Sequence, residues 1–175
     1  ELVPTPEQRV QRFEAVDRFR TKHPYILFDF WNDGEATSGC IAWGKRYFHV
    51  NSAGNVEPCV FVHFAKDNIR EKKLVDIVQG SVFKDARSMM PFDPDYRFPC
   101  SFIDNVDVLP SLVRKHKMFP THEGAESIIE DLSEGVRDNA RGYKRILDDN
   151  PEALVPEYIK ACSGCPGCAQ KPAKG

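Results

Sequence analysis

The sequence has no apolar run near the 18 residues that a membrane-spanning helix needs, and no charged-then-apolar leader. It also lacks an excess of either charge, with a formal net charge of −2 over 175 residues. No internal repeat or low-complexity block is present. We therefore expect a cytoplasmic chain of one or two small domains, with neither a membrane nor nucleic acid as its partner.

Cysteine is present in an unusual arrangement. In a secreted protein the six cysteines could form a disulfide framework, whereas in a reducing compartment they more often bind metal or carry out redox chemistry. The first three are separated by 18 and 40 intervening residues, and the last three are separated by two residues each. The set is Cys40, Cys59, Cys100, Cys162, Cys165 and Cys168.

The chain begins with a predicted amphipathic helix. Thr5-Pro6-Glu7 is a typical helix start, and the helix should end before His23-Pro24. The apolar run Tyr25–Trp31 then predicts a strand buried on both faces, as in a parallel sheet. One helix and one buried strand have no partner strands here, so we expect a missing upstream part. Asp29 is either a functional carboxylate or, more simply, a capped or edge-exposed acid.

A β-hairpin is predicted between Cys40 and Cys59. Lys45–Asn51 and Asn55–Val62 are rich in β-branched and aromatic residues, and Gly54 can adopt the positive φ that a tight turn requires. In this register Cys59 lies roughly opposite Phe48. The loop after Cys40 then needs only to fold back for the sulfurs of Cys40 and Cys59 to bind the same group.

Short helices are predicted after the hairpin. One is capped by Asp67-Asn68 and ends at Gly80, the next begins at Ser81 and fails before Pro91, and a third lies near Val108–Val113. The loop before Cys100 places the thiol of this residue to serve as a third ligand, together with Cys40 and Cys59. A further helical pattern covers 123–147, with a break around 133–135, and a last helix covers 151–161 before a disordered end.

The thiols can bind zinc or an iron–sulfur cluster. Zinc sites usually use two close cysteine pairs, which the first three cysteines do not form. Widely spaced ligands suit a cubane cluster better, because each iron takes its own cysteine. The alternative without a metal is three unrelated buried thiols.

The segment Cys40, thirteen residues, Gly54, four residues, Cys59 resembles the C-x(9–15)-G-x(4)-C signature of the SPASM and twitch domains in radical S-adenosylmethionine (SAM) enzymes. FDFWNDG before it and GNVEPCVFVH after it are also similar to the C-terminal half of that superfamily. The resemblance covers roughly Pro4 to Leu112. It implies that Cys40, Cys59 and Cys100 are ligands of an auxiliary 4Fe–4S cluster.

The resemblance also implies an organisation. It indicates an α+β fold, with a small β-hairpin metal-binding domain and surrounding helices, preceded by the last helix and strand of a partial (β/α) barrel. The corresponding boundaries are 1–39 for the end of the barrel, 40–118 for the auxiliary-cluster domain and 119–175 for a helical extension with a cysteine-rich tail.

Two features depart from the family pattern. The radical-generating C-x(3)-C-x(2)-C motif and the full seven-cysteine SPASM pattern are both absent. We therefore expect the C-terminal part of a longer oxidoreductase or modifying enzyme that does not cleave SAM alone. SAM would bind only through the missing barrel, and the substrate would be a peptide or a small molecule. The alternative is a zinc-stabilised structural or interaction module with no redox role.

The identity of the fourth ligand of the site formed by Cys40, Cys59 and Cys100 stays open. A strand continuing past Cys59 would carry His63 roughly 13 Å away, and His49 is expected to be a packed or surface residue. A tail cysteine or an iron open to substrate is preferred. The tail triplet of Cys162, Cys165 and Cys168 could complete the first site, hold its own metal with a non-cysteine ligand, or stay empty.

Overall fold

The computed structural model describes residues 3–156 of the chain. These residues form two compact units: 3–29 with 143–156, and 30–142. The elements mix helices with two small antiparallel sheets, which confirms the predicted α+β class. No helix within residues 3–156 combines the length and the apolar character needed to cross a bilayer.

The first unit contains helix α1, Pro6–Lys22, whose predicted start is confirmed. Thr5 and Gln8 form a reciprocal capping box, with Thr5 Oγ1 accepting the Gln8 N–H at 3.2 Å and Gln8 Oε1 accepting the Thr5 N–H at 2.9 Å. Phe13 is buried on the inner face. The guanidinium of Arg9 lies 3.8 Å from the ring centroid of Tyr143, so this unit joins both ends of the described chain.

The predicted strand at Tyr25–Trp31 is wrong. Residues 23–29 adopt no regular structure, and Tyr25, Ile26 and Phe28 are 69%, 86% and 70% exposed. Side chains of α1 hold the backbone instead: Arg20 donates to the carbonyl of Leu27. An apolar run becomes a buried strand only if other elements cover both its faces, and none of those described pairs with it.

Asp29 has a structural role in this unit. Arg12 donates from Nη2 to Asp29 Oδ1 at 2.6 Å and from Nε to Oδ2 at 3.2 Å, while Asp29 is 6% exposed. This bidentate ion pair fastens the segment to α1. Asp29 is thus a buried, ion-paired acid rather than the capped or edge-exposed acid of the simpler interpretation.

The second unit contains most of the regular structure. Its elements are α2 (Gly34–Thr37), β1 (His49–Val50), β2 (Val56–Glu57), β3 (Phe64–Ala65), α3 (Leu74–Val78), α4 (Ser81–Ser88), α5 (Val108–His116), β4 (Phe119–Pro120), a 3₁₀ helix (Ala125–Ile128) and the start of α6 (Ser133–Asp149). Strands β1 and β2 pair antiparallel, and so do β3 and β4. Trp43, Phe64, Phe83, Leu109 and Leu112 belong to one buried core.

The hairpin is confirmed, but its strands are only two residues long. His49 pairs with Glu57 and Val50 with Val56, which would place Cys59 opposite Tyr47 rather than Phe48. Chain reversals shorten both strands, because Arg46 N–H bonds to Ile41 O and Val62 N–H bonds to Cys59 O. Gly54 has φ +88°, as the turn prediction requires.

The remaining helices differ from their predictions in detail. Helices α4 and α5 lie where predicted, whereas α3 begins after Lys73 without a side-chain cap. Asn68 instead accepts the N–H of Arg70 in an Asx turn. The break in the 123–147 pattern precedes Ser133, where α6 begins. Residues 151–156 are not helical, and the rest of the predicted helix at 151–161 lies outside the described residues.

Candidate metal centre

Cys40, Cys59 and Cys100 all lie in loops of the second unit, and none is in a regular element. Cys40 follows a left-handed turn at Ser38 and Gly39, with φ of +57° and +89°. Cys59 follows β2, and Cys100 precedes a turn that closes through the bond from Asn105 N–H to Cys100 O at 3.0 Å. All three thiols are partly buried and unpaired in disulfides.

Trp43 fastens the three cysteine loops together. It lies three residues after Cys40, donates its backbone N–H to Pro58 O at 3.0 Å, and donates Nε1–H to Ser101 Oγ at 2.8 Å. Pro58 precedes Cys59 and Ser101 follows Cys100. Trp43 is fully buried, and its φ of +58° turns the backbone so that both bonds form. Trp43 therefore links the loop that carries Cys40 to the loops that carry Cys59 and Cys100.

Burial and electrostatic interactions between the thiols raise their pKa values. Burial raises the pKa of Cys40 to about 11, and the nearby Cys59 thiolate adds to that rise. Burial also raises the pKa of Cys100 well above its usual value, followed by the charges of Asp104 and Cys40. Cys40 is thus near both other cysteines. Without a bound cation all three groups are held as neutral thiols at neutral pH, so metal binding must release their protons.

Tyr47 contacts the predicted metal centre directly. Its hydroxyl oxygen lies 2.7 Å from Cys59 Sγ. Burial, then the bond to Cys59, raises the pKa of Tyr47 above its usual range, so the phenol keeps its proton. When Cys59 is a thiolate, only the hydroxyl can donate in this bond.

Residues 3–156 contain no group of three or more His, Cys, Asp or Glu side chains placed to hold a single metal ion. The donor chemistry nevertheless fits a cluster: three thiols share one region, and one is bonded to a tyrosine hydroxyl. Cys162, Cys165 and Cys168 lie outside the described residues, so their predicted metal role stays a prediction.

The histidines form a polar cluster that the sequence reasoning did not predict. The carboxylate of Glu57 is 1% exposed, with His49 Nδ1 2.6 Å from Oε2 and His63 Nδ1 3.8 Å from Oε1. Asn51 Nδ2 and the Thr121 hydroxyl donate to the same carboxylate. Cross-strand pairing of 49 with 57 was the available signal, because it places an acid opposite an imidazole.

The turn at Cys59 changes the position expected for His63. Since Val62 N–H bonds back to Cys59 O at 3.0 Å, the chain reverses, and the straight strand on which the 13 Å separation depended does not form. His63 lies beside Glu57, and its ring centroid is 5.5 Å from that of His122, with the two rings tilted by 37°. These histidines belong to the polar cluster.

A cavity of about 280 Å³ lies beside the cysteine loops. Most of its lining side chains are apolar, and His63 and His122 also line it. Phe61 and Phe102, each two residues after a cysteine, are among its lining residues. The cavity has room for a small molecule, since an apolar cavity of roughly 150 Å³ already binds benzene.

Comparison with known families identifies the same segment. Residues 40–102 match the model of SPASM, an iron–sulfur cluster-binding domain. No curated protein and no solved structure matches the chain. The match covers roughly a third of the sequence and includes all three cysteines and Trp43. The predicted resemblance is thereby confirmed: the segment that contains Cys40, Cys59 and Cys100 is similar to SPASM iron–sulfur cluster-binding domains.

Proposed function

We propose that the chain is part of a radical SAM enzyme, C-terminal to its barrel, and that Cys40, Cys59 and Cys100 bind an auxiliary 4Fe–4S cluster. The observation that carries the proposal is the convergence of the three cysteine loops on Trp43, within the segment that matches SPASM. A bound cluster of this kind supplies single-electron transfer. The chain's own residues hold and shield the thiolates.

Trp43, Tyr47 and the partial burial of the thiols each support cluster binding in a different way. Trp43 fixes the distance between the loops, and its burial excludes water from one side of the site. Tyr47 donates its hydroxyl to the Cys59 sulfur, which stabilises negative charge on that ligand. Partial burial of the three thiols disfavours free thiolates, so cation binding and proton release are coupled.

The radical SAM barrel is the proposed partner of the exposed segment 25–28. Tyr25, Ile26 and Phe28 present apolar side chains, and exposed apolar patches mark contact surfaces. A neighbouring barrel strand would cover this run and restore the buried environment that its composition indicates. SAM would bind in that barrel, since this sequence contains no C-x(3)-C-x(2)-C motif.

A zinc-stabilised module is the alternative function, and one observation argues against it. Structural zinc sites usually take two close cysteine pairs, whereas Cys40, Cys59 and Cys100 are separated by 18 and 40 intervening residues. Anaerobic reconstitution with iron and sulfide, with zinc as the competitor, separates the two. We expect a brown protein with about four irons per chain. A colourless protein with stoichiometric zinc would contradict the proposal.

Substrate binding is a second proposed role of the same domain, and the cavity beside Phe61 and Phe102 favours it. Ligand-observed NMR with phenol, 3-phenylpropionate and phenethylamine provides the test. At least one probe should bind the wild-type chain, and Ala125→Trp, which fills the cavity, should abolish binding. If no probe binds, or if binding is unaffected by Ala125→Trp, the cavity is not a ligand site.

A further inference from the structure

The cavity of about 280 Å³ has an acid but no base among its lining residues. Apart from apolar side chains, the described lining consists of two imidazoles, a hydroxyl, a glycine and one carboxylate, that of Glu123, and it includes neither Lys nor Arg. A cleft lined by one sign of charge concentrates ligands of the opposite sign. The lining therefore favours a cationic ligand over an anionic one.

The three segments that supply the lining have the same sign of charge. Residues 61–64 contain no acid or base other than an imidazole, whereas 102–109 contain two acids and 122–128 contain two more. None of the three segments contains Lys or Arg. Arg137 offsets one of the four acids, because its Nη2 lies 2.9 Å from Asp107 Oδ1. The excess charge of these segments is therefore negative.

Glu123 has a carboxylate that is available to a ligand. Within residues 3–156 its side chain forms neither an ion pair nor a hydrogen bond. The imidazoles of His63 and His122 line the same cavity, with ring centroids 5.5 Å apart. A neutral imidazole has one acceptor nitrogen, and an ammonium group has three N–H donors. The polar lining thus offers several acceptors to a single ammonium group.

We propose that the cavity binds a small apolar molecule that carries a protonated amine. The inference rests on the proposed substrate-binding role of this domain and adds the chemical class of the ligand. The apolar side chains contact the hydrocarbon part. Glu123 attracts the ammonium group, and His63 and His122 accept its N–H bonds. A carboxylate on the ligand would be repelled by the charge of Glu123.

The test compares two probes that differ in one group. Phenethylamine carries an ammonium group where 2-phenylethanol carries a hydroxyl, so a difference between their dissociation constants reports the effect of the charge. Ligand-observed NMR measures both constants for the full chain after reconstitution with iron and sulfide. We expect the amine to bind about two- to fivefold more tightly, as for one ion pair at an exposed site. Added salt should weaken only the binding of the amine.

Glu123→Gln tests the assigned residue, because it keeps the size of the side chain and removes its charge. This variant should bind phenethylamine about two- to fivefold more weakly than wild type and 2-phenylethanol equally well. Glu71→Gln is the matched control. Glu71 is an exposed acid that lies outside the three lining segments, so its loss should leave the affinity for both probes unchanged.

Two results would overturn the amine assignment and leave the cavity as a ligand site. The first is binding of 2-phenylethanol or 3-phenylpropionate at least as tight as that of phenethylamine. The second is a Glu123→Gln variant that weakens both probes alike, or neither. If no probe binds the wild type, the substrate-binding role fails and this assignment fails with it. Iron content of the same samples tests cluster binding separately.

Discussion

Ser101 is the residue whose hydrogen bond joins the Cys40 loop to the Cys100 loop. Ser101→Ala leaves the Trp43 Nε1–H buried without its acceptor, since Trp43 is fully buried. An unsatisfied buried donor costs about 1–3 kcal/mol. We expect the melting temperature to fall by about 2–4 °C for each kcal/mol lost.

The matched control for this prediction is Ser111→Ala. Ser111 is exposed in α5, and its hydroxyl bonds to Val108 O at 2.8 Å. Its loss should change the free energy of unfolding by less than about 0.5 kcal/mol. If the two variants melt alike, Trp43 does not fasten the loops through Ser101.

Tyr47 should tune the cluster by donating to Cys59. Removing a donor from a ligand sulfur destabilises the reduced, more negative state, so Tyr47→Phe should lower the reduction potential. A differential stabilisation of about 1 kcal/mol corresponds to roughly 40 mV for one electron. Redox titration followed by electron paramagnetic resonance measures the shift. Tyr25→Phe is the control, because Tyr25 lies in the first unit and is 69% exposed. A Tyr47→Phe potential equal to wild type would refute the tuning.

The raised thiol pKa values predict a pH dependence of the metal-free chain. Cys40 has a pKa of about 11 when folded, above the roughly 8.5 of a free thiol. The folded state then holds a proton that the unfolded state has lost, so stability is complete below about pH 8.5 and falls as pH rises toward 11. The slope from one such thiol is at most about 1.4 kcal/mol per pH unit.

Urea unfolding at several pH values between 8 and 10.5 measures this slope. The metal-free Cys40→Ala variant should show a shallower decline than the metal-free wild type. In the cluster-loaded chain the thiolates are already formed, so the decline should be smaller there too. A metal-free wild type whose stability rises with pH over this range would contradict the assignment.

The hairpin turn is the element on which the spacing of Cys40 and Cys59 depends. Gly54 has φ +88°, and an added Cβ would lie 2.8 Å from Asn68 Oδ1. Asn68 is itself held by bonds to Ala53 O and Asn55 Oδ1. Gly54→Ala should therefore destabilise the chain by about 1–2 kcal/mol, because an L-residue there is strained.

Gly135→Ala is the control, and we expect it to change the free energy of unfolding in the opposite direction. Gly135 lies in α6, where an added Cβ meets nothing within 4 Å. Alanine should stabilise the helix by about 0.5–1 kcal/mol. Thermal unfolding of both variants checks the pair, and a neutral Gly54→Ala would show that the turn does not need a positive φ.

Local signals predicted the elements that depend on nearby residues. Thr5 and Gln8 cap α1 through contacts three positions apart, Gly54 closes the hairpin with a positive φ, and α4 begins at Ser81, directly after Gly80. The strand predicted at Tyr25–Trp31 is wrong because the burial of a strand depends on partners that are distant in the sequence. Neither the Trp43–Ser101 bond, which spans 58 positions, nor the bond of Tyr47 to Cys59 has a sequence signal of its own.

At the scale of the whole molecule, binding a cluster and generating a radical are separate functions. The sequence carries no C-x(3)-C-x(2)-C loop, so the reconstituted chain should not cleave SAM. Incubation with reductant and SAM, followed by chromatography for 5′-deoxyadenosine, checks this. Product above the no-protein control would mean that this chain itself binds and reduces SAM.

The central claim is that Cys40, Cys59 and Cys100 hold one iron–sulfur cluster. The most direct measurement is iron and acid-labile sulfide per chain, with the visible spectrum, after anaerobic reconstitution of the wild type and a Cys40→Ser, Cys59→Ser, Cys100→Ser variant. We predict about four irons and four sulfides in the wild type and almost none in the variant. Unchanged iron and sulfide in the variant would contradict the account.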